Sequence, residues 1–360
     1  MTSAELRSRF PVFERTAYLN AGTDGPLAAA AAGAGAEELL GEAERGRMRE
    51  HFERRTELAT ALRARYARVL RCEQSDVALT TCTSEGLSIV IDGLGLREGD
   101  EILTSDEEHP GLLGALAAAR ELCGASVRMA PLAQIDAHVA PATRLVACSH
   151  VGWMSGVLAP SGLADVAVPV VLDGAQGVGA VDVDVRALGC AAYAGAGQKW
   201  MCGPDGTGML YVTPELRARL RSRRRGYGNL AQPDLGIDSP LHEDARAFDT
   251  LALSAEALAV ALAAADVLEA YGWENVYERA RSLATALVER LQAAGREVAA
   301  RDPLTTLVSF ATPDAEAERD ALLAAGVVVR NIPGRPWLRA SVGAWNDESD
   351  LDRLLAALAR

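Results

Sequence analysis

The chain has 360 residues, 49% of them apolar, and a formal net charge of -13. That length and apolar content suffice for two hydrophobic cores, and the acidic field argues against non-specific binding to nucleic acid or to an anionic membrane. A small-molecule substrate is the favoured partner class.

In chain order, the Ala-rich stretch 28–36 continues into Glu and Leu and reads as packed helix. Short β-like runs then alternate with helical stretches at 77–80, 101–104, 126–129, 145–148, 170–172, 191–194 and 209–212. This rhythm predicts a mostly parallel sheet covered by helices, with ligands beyond the carboxyl ends of its strands. Thr83, Ser84 and Gly86 are expected to precede a helix beginning near Leu87. Hydroxyls and first-turn N–H groups there would cradle a phosphate, although simple N-capping uses the same geometry. His109 lies just outside a helix that Pro110 suits at its first turn. Arg221, Arg223, Arg224 and Arg225 form one basic run, read either as a solvated loop or as an approach to an anionic ligand. Amphipathic helices are expected at 251–271 and 273–294, then β-like pieces at 305–310, 327–330 and 337–342. The expected organisation is an N-terminal segment and large domain over 1–250, then a linking helix and small α+β domain over 251–360. A hinge near 249–254 would place a ligand cleft between them.

Six cysteines, Cys72, Cys82, Cys123, Cys148, Cys190 and Cys202, have no paired ligand spacing, so no metal is expected. They fit a reducing compartment. Neither a leader nor a bilayer-length apolar run is evident, and a cytoplasmic location is expected.

Lysine occurs once, at Lys199, while arginine fills the other 35 of the 36 basic positions. Only an amine can shed its proton near neutral pH and attack a carbonyl carbon, because guanidinium stays protonated. Lys199 is therefore a candidate for Schiff-base chemistry, against the plainer reading of a residual surface lysine. Asp173 follows the run 170–172, Gln176 comes three residues later, and Lys199 lies after the next run within Gly195-Ala196-Gly197-Gln198-Lys199-Trp200. Two neighbouring strand-end loops would thus bring a carboxylate, an amide and the amine together. A carboxylate against the ring nitrogen of pyridoxal phosphate would keep that nitrogen protonated, making the ring an electron sink. Asp173 is the candidate. Gln176 would hydrogen-bond the phenolic oxygen, and Lys199 would shuttle the proton at the substrate α-carbon. Taken singly, Asp173 reads as a turn or cap residue and Gln176 as a polar helix start. An imidazole at His109 would stack flat on the ring; alone it reads as a capping or surface histidine.

In this order the residues resemble the class V aminotransferase and cysteine desulfurase family of fold-type I pyridoxal-phosphate enzymes. The likeness runs through Asn20-Ala21-Gly22-Thr23, Thr83-Ser84-Glu85-Gly86, Glu108-His109-Pro110-Gly111, Ser149-His150-Val151, Asp173-Gly174-Ala175-Gln176, Gln198-Lys199-Trp200 and Leu338-Arg339-Ala340-Ser341. It implies an α/β fold with a large, mostly parallel sheet domain and a smaller C-terminal α+β domain. It also implies a homodimer with active sites at the subunit boundary.

By resemblance, Lys199 is the Schiff-base lysine, Asp173 lies at the ring nitrogen, Gln176 at the phenolic oxygen and His109 on the ring. Thr83, Ser84 and Gln198 join the cofactor contacts, and Arg339 receives the substrate carboxylate with Asn20 on the substrate side. The chain departs from the family where Ala196, Gly197 and Gln198 replace a hydroxyl residue, any residue and His. One phosphate hydroxyl is thereby absent. Thr250 and Ser254 are loose matches for the hydroxyl residue that relatives offer across the dimer. Trp153 stands where desulfurase relatives place an asparagine, and its flat indole is expected to line the substrate pocket.

Cysteine desulfurases need a nucleophilic thiol on a mobile loop shortly before the carboxylate-binding arginine. No cysteine follows Cys202, and the segment 330–337 is short, so the persulfide route is closed unless Cys82 or Cys202 serves. The pattern looks most like the carbon–sulfur lyase members, and β-elimination from a cysteine- or cystine-like amino acid is the leading expectation. The alternatives are a class V aminotransferase or amino-acid epimerase, and a non-catalytic relative whose phosphate site has eroded.

Overall fold

The structure is a computed structural model that describes residues 1–221, 224–250, 252–299 and 305–359. The chain begins with helix α1 (Ser3–Ser8) and strand β1 (Ala17–Tyr18), followed by the long helices α2 (Ala29–Arg45) and α3 (Arg49–Leu70). Next come β2 (Val77–Thr80), α4 (Thr83–Gly93), β3 (Glu101–Ser105), α5 (Pro110–Cys123), β4 (Ser126–Ala130), β5 (Thr143–Ser149), β6 (Val170–Asp173), β7 (Ala192–Ala196) and β8 (Gly208–Val212). These strands form one seven-stranded sheet in the order β2-β8-β7-β6-β5-β3-β4, in which only β8 runs antiparallel to its neighbours.

Both faces of the sheet are covered, which is why its inner strands are apolar at successive positions. Alternate residues divide between two cores: Val146, Cys148, Val170 and Leu172 pack with Leu62 and Tyr66 of α3, whereas Leu145, Ala147 and Val171 pack with Val90 of α4 and Leu112 of α5. The predicted strands all form, most of them extended by a residue or two.

After α6 (Pro214–Arg217) the chain returns through α7 (Ala255–Tyr271) and α8 (Trp273–Ala293) to a smaller unit containing β9 (Leu307–Ala311), α9 (Ala315–Ala324), β10 (Val327–Val328), β11 (Arg330–Asn331), β12 (Trp337–Ser341) and α10 (Glu348–Leu358). Its sheet runs β11-β12-β9, antiparallel throughout. The single run expected at 327–330 is split. Its first half pairs in parallel with β1, Ala17 opposite Val327, and its second half pairs with β12. The N-terminal segment is therefore shared: Ala17 and Leu19, both fully buried, belong to the core of the small unit with Val308 and Phe310.

Two local features differ from expectation. Helix α4 starts at Thr83, with Cys82 as N-cap, four residues before Leu87. Gly86 is a close-packing residue inside that helix, since a Cβ there would lie 2.9 Å from the Ala194 Cβ of the sheet beneath. At the start of the segment expected to hinge, Asp249 and Thr250 bond to α3 and β2. Asp249 takes the Arg63 guanidinium at 3.0 and 2.7 Å, and the Thr250 N–H donates to the Leu79 carbonyl at 2.8 Å. Helix α7 begins at Ala255, capped by the Ser254 hydroxyl; Leu251, its expected start, lies outside the described residues, as does Arg223 of the basic run. Arg224 of that run pairs with Glu85 at 2.9 Å. Among the described residues no helix is long and apolar enough to cross a membrane.

Candidate active site

A cavity of about 230 Å³ lies where strand-end loops of the large sheet face β11 and β12 of the small one. Its lining includes Thr83, Ser84, His109, Trp153, Asp173, Gln176, Gln198, Lys199 and Arg339, nine of the ten residues that the sequence singled out. Asn20 is the exception. It sits behind the wall, its side-chain oxygen accepting the Thr23 hydroxyl at 2.9 Å, and Thr23 reaches the lining in its place. A larger hollow of about 1130 Å³ between α2 and α3 carries none of these groups.

Lys199 lies in the turn after β7, partly buried at the floor. Burial pushes its amine down to about 8, with Arg339 and Arg330 acting in the same direction and Asp173 and Asp24 opposing. A fraction of the amine is consequently unprotonated near neutral pH. Asp173 ends β6 and is buried, one carboxylate oxygen accepting the Ala175 N–H at 2.9 Å. Burial raises its pKa from the usual carboxylate range, and the charge of Lys199 and that N–H bond work against the rise.

The Gln176 amide is fixed in direction. Its oxygen accepts the Trp200 indole N–H at 2.9 Å, and its nitrogen donates to the Gly22 carbonyl at 2.8 Å, so the amide cannot be reversed without opposing two donors and two acceptors. One of its N–H bonds remains uncommitted. His109 caps α5, its Nδ1 accepting the Gly111 N–H at 3.0 Å. Burial, reinforced by Lys199, Arg330 and Arg339, lowers its pKa to about 4, leaving a neutral ring. That ring stands edge-on to Trp153, 5.2 Å away at 86°.

Behind the lining, His150 and Tyr193 bond at 3.0 Å under the turn that follows Asp173, and burial lowers His150 to about 4. Glu108 is buried among neutral donors: the hydroxyls of Ser105 and Ser149, and the Ser149 N–H at 2.9 Å. Its burial raises the carboxyl to about 7 despite those bonds.

The cationic wall has a member that the sequence did not suggest. Antiparallel pairing sets Arg330 of β11 directly opposite Arg339 of β12, and both line the cavity. Arg339 is 1% exposed; one Nη1–H donates to the Trp153 carbonyl at 2.6 Å and its Nε has no partner. Burial and then Arg330 push its guanidinium down to about 9, the signature of a buried cation without a counter-anion. Eight residues that include a turn separate the two arginines, so only strand register reveals the pair.

Three further buried atoms of lining residues, Thr83 Oγ1, Trp153 Nε1 and Gln198 Oε1, also lack partners. Thr83 and Ser84 occupy the first turn of α4, where backbone N–H groups have no intrahelical acceptor. Ala196 brings no hydroxyl to this end of the cavity.

The family model for class V aminotransferases matches residues 33–354, and the chain belongs to that family. An isopenicillin N epimerase of Amycolatopsis lactamdurans is 31% identical over 82% of this chain and 83% of its own. A cysteine desulfurase of Cronobacter sakazakii is 26% identical over 85% of this chain and 82% of its own. Among solved structures, C-DES with glycine covalently linked to its PLP cofactor superposes with a TM-score of 0.92 at 27% identity, covering 98% of both chains. A second C-DES structure, the cystine C-S lyase with its product cysteine persulfide, gives 0.91 at 27% identity over 97% of this chain and 99% of that one.

Proposed function

We propose that this enzyme is a pyridoxal-phosphate-dependent carbon–sulfur lyase that acts by β-elimination on a cystine-like amino acid. The residues fit the cofactor. The first-turn N–H groups of α4 and the orphaned hydroxyl of Thr83 suit a phosphate. Lys199 would be its covalent attachment point, Asp173 the partner of its ring nitrogen, Gln176 and Gln198 amide contacts, and His109 a neutral ring beside it. When bound, the cofactor supplies an electron sink for charge at the substrate α-carbon.

The protein's own groups supply the rest. Lys199, with an amine poised at about 8, can take the α-proton and return it. Arg339 would bind the substrate α-carboxylate through its open edge. In the net reaction the Cα–H and Cβ–S bonds break, sulfur leaves with its bonding pair as a persulfide, and water converts the remaining three-carbon fragment to pyruvate and ammonia.

The observation that carries this reading is the paired Arg330 and Arg339 beside Lys199, a cavity with two cations for a substrate with two carboxylates. The thiol that lines the cavity, Cys82, belongs to the N-cap of α4 and not to a loop before Arg339. Cys202 is buried with its thiol pushed well above the ordinary range, and Cys82 caps α4 at the phosphate end. The printed activity of C-DES as a cystine C-S lyase supports the same chemistry. The likeness to isopenicillin N epimerase supports a second reading, in which the α-proton returns on the opposite face.

Incubation with cystine should release pyruvate, ammonia and a persulfide in equal amounts. Loss of α-deuterium or inversion without pyruvate would favour the epimerase, and keto acid formed only with an amino acceptor would favour an aminotransferase. Borohydride reduction and peptide mapping should place the cofactor label on Lys199. A homodimer in a reducing, cytoplasmic setting completes the reading. Exposed Leu39 and Leu40 of α2, Phe52 of α3 and Met48 just before α3 form an apolar surface, all six cysteines are free, and mass measurement in solution tests the assembly.

A further inference from the structure

The turn over 152–156 is held from three sides. Its own bonds are Gly156 N–H to the Gly152 carbonyl and Gly152 N–H to the Val157 carbonyl, each 2.8 Å. The small unit grips it through Thr305, whose hydroxyl donates to the Gly156 carbonyl at 2.7 Å, and through Ser309, whose hydroxyl donates to the Met154 carbonyl. From the large sheet comes Glu107, which accepts the Ser155 N–H at 3.0 Å and the Ser155 hydroxyl at 2.7 Å. Gly152 lets this carboxylate approach, because a Cβ there would collide with it.

The same turn presents the Trp153 carbonyl to Arg339 Nη1 at 2.6 Å. That bond fixes the rotation of the guanidinium and uses one edge of it. The Nε–H, which has no partner, and Nη2 form the other edge, the side-on fork that binds both oxygens of a carboxylate.

We propose that Glu107 is a positioning residue for substrate recognition: through Ser155 and the Trp153 carbonyl it aims the open fork of Arg339 at the substrate carboxylate. The inference rests on the reading of Arg339 as carboxylate receiver. It goes beyond that reading by linking the β3–α5 turn, which also carries His109, to carboxylate binding on the opposite wall. A purely structural staple would support all ligands equally. A positioning residue discriminates between ligands with and without a carboxylate.

The test uses the cofactor-loaded enzyme and two probes, glycine and methylamine, titrated by the visible absorption change of the cofactor. Both probes offer an amine, and only glycine offers a carboxylate. In Glu107→Ala the preference for glycine over methylamine should fall about tenfold, a cost typical of misaimed groups. Methylamine affinity and the spectrum of the resting enzyme should stay within twofold. Ser155→Ala should act in the same direction, and adding it to Glu107→Ala should cost little more. Glu107→Gln, which keeps one acceptor, should restore part of the preference. Equal weakening of both probes, or an unchanged preference, would overturn the proposal. Arg339→Lys separates the two layers. If it keeps the glycine preference, the carboxylate reading itself fails; if it loses the preference while Glu107→Ala keeps it, only the role of Glu107 fails. Absence of any spectral response in the unmutated enzyme overturns both.

Discussion

Two buried arginines occupy similar surroundings and end in opposite states. Arg63, 6% exposed on α3, is complete: it binds both oxygens of Asp249 and donates to the Val77 carbonyl. Arg339, 1% exposed on β12, has one backbone carbonyl, a second arginine opposite and an Nε with nothing to bond. Burying a cation is costly without an anion. The first site offsets that cost within the chain, and the second does so only if, as proposed above, a substrate carboxylate binds there. Burial alone therefore does not mark function; an incomplete set of partners does.

Substitution should divide the pair cleanly. Arg63→Ala strands the Asp249 carboxylate in the interior and should cost about 3–5 kcal/mol of stability, read from denaturant midpoints. Its effect on substrate affinity should be small where the fold survives. Arg339→Lys should do the reverse. Stability should change by less than about 1 kcal/mol, while kcat/KM falls about 100-fold because a point-charge amine cannot reproduce the side-on fork. A large stability loss in Arg339→Lys with unchanged kinetics would erase the distinction drawn here.

Arg330 sharpens the comparison on a smaller scale. It is only partly buried and touches the Thr23 hydroxyl at 3.3 Å, so its loss leaves no stranded charge. Arg330→Ala should lower kcat/KM for cystine about tenfold, a loss in the range of charge-assisted hydrogen bonds, and should spare a substrate with a single carboxylate. Equal losses for both substrates would place Arg330 at the α-carboxylate and remove the argument for a second one.

Much of this site was legible because its chemistry is local. Lys199 is unique, Asp173 and Gln176 sit three residues apart after a β-like run, and Pro110 announces the helix that His109 caps. The strand rhythm gave the sheet, since fully buried parallel strands read as short apolar runs. What escaped detection depends on register and packing. Arg330 matters only because β11 pairs with β12, and Glu107 only because a distant turn reaches it. Gly86 reads locally as part of a loop ahead of a helix, yet it lies inside α4, where the sheet beneath leaves no room for a Cβ. Asn20 carries the motif, but the turn after it rotates Thr23 into the cavity instead.

Carboxylates extend the comparison to its mildest case. Asp249 has a cation, whereas the bonds of Glu108 come only from neutral donors, and burial holds it at about 7, above its ordinary 4.5. Between those values the folded state binds more protons than the unfolded one. The contribution of Glu108 is therefore fully present below about pH 4.5 and is lost as pH rises through 7. His109 and His150 act in the opposite sense. Each is lowered to about 4 from 6.5, so the unfolded state binds more protons between those values and stability is gained as pH rises through that window. Glu108→Gln removes the falling component and leaves the rising one. The variant should gain stability relative to the unmutated protein from pH 4.5 to 7, by less than about 1.4 kcal/mol per pH unit, and then run parallel to it. Chemical denaturation at pH 5, 6, 7 and 8 would reveal it, and parallel profiles across that whole range would mean that the serine donors keep Glu108 ionised without a cation.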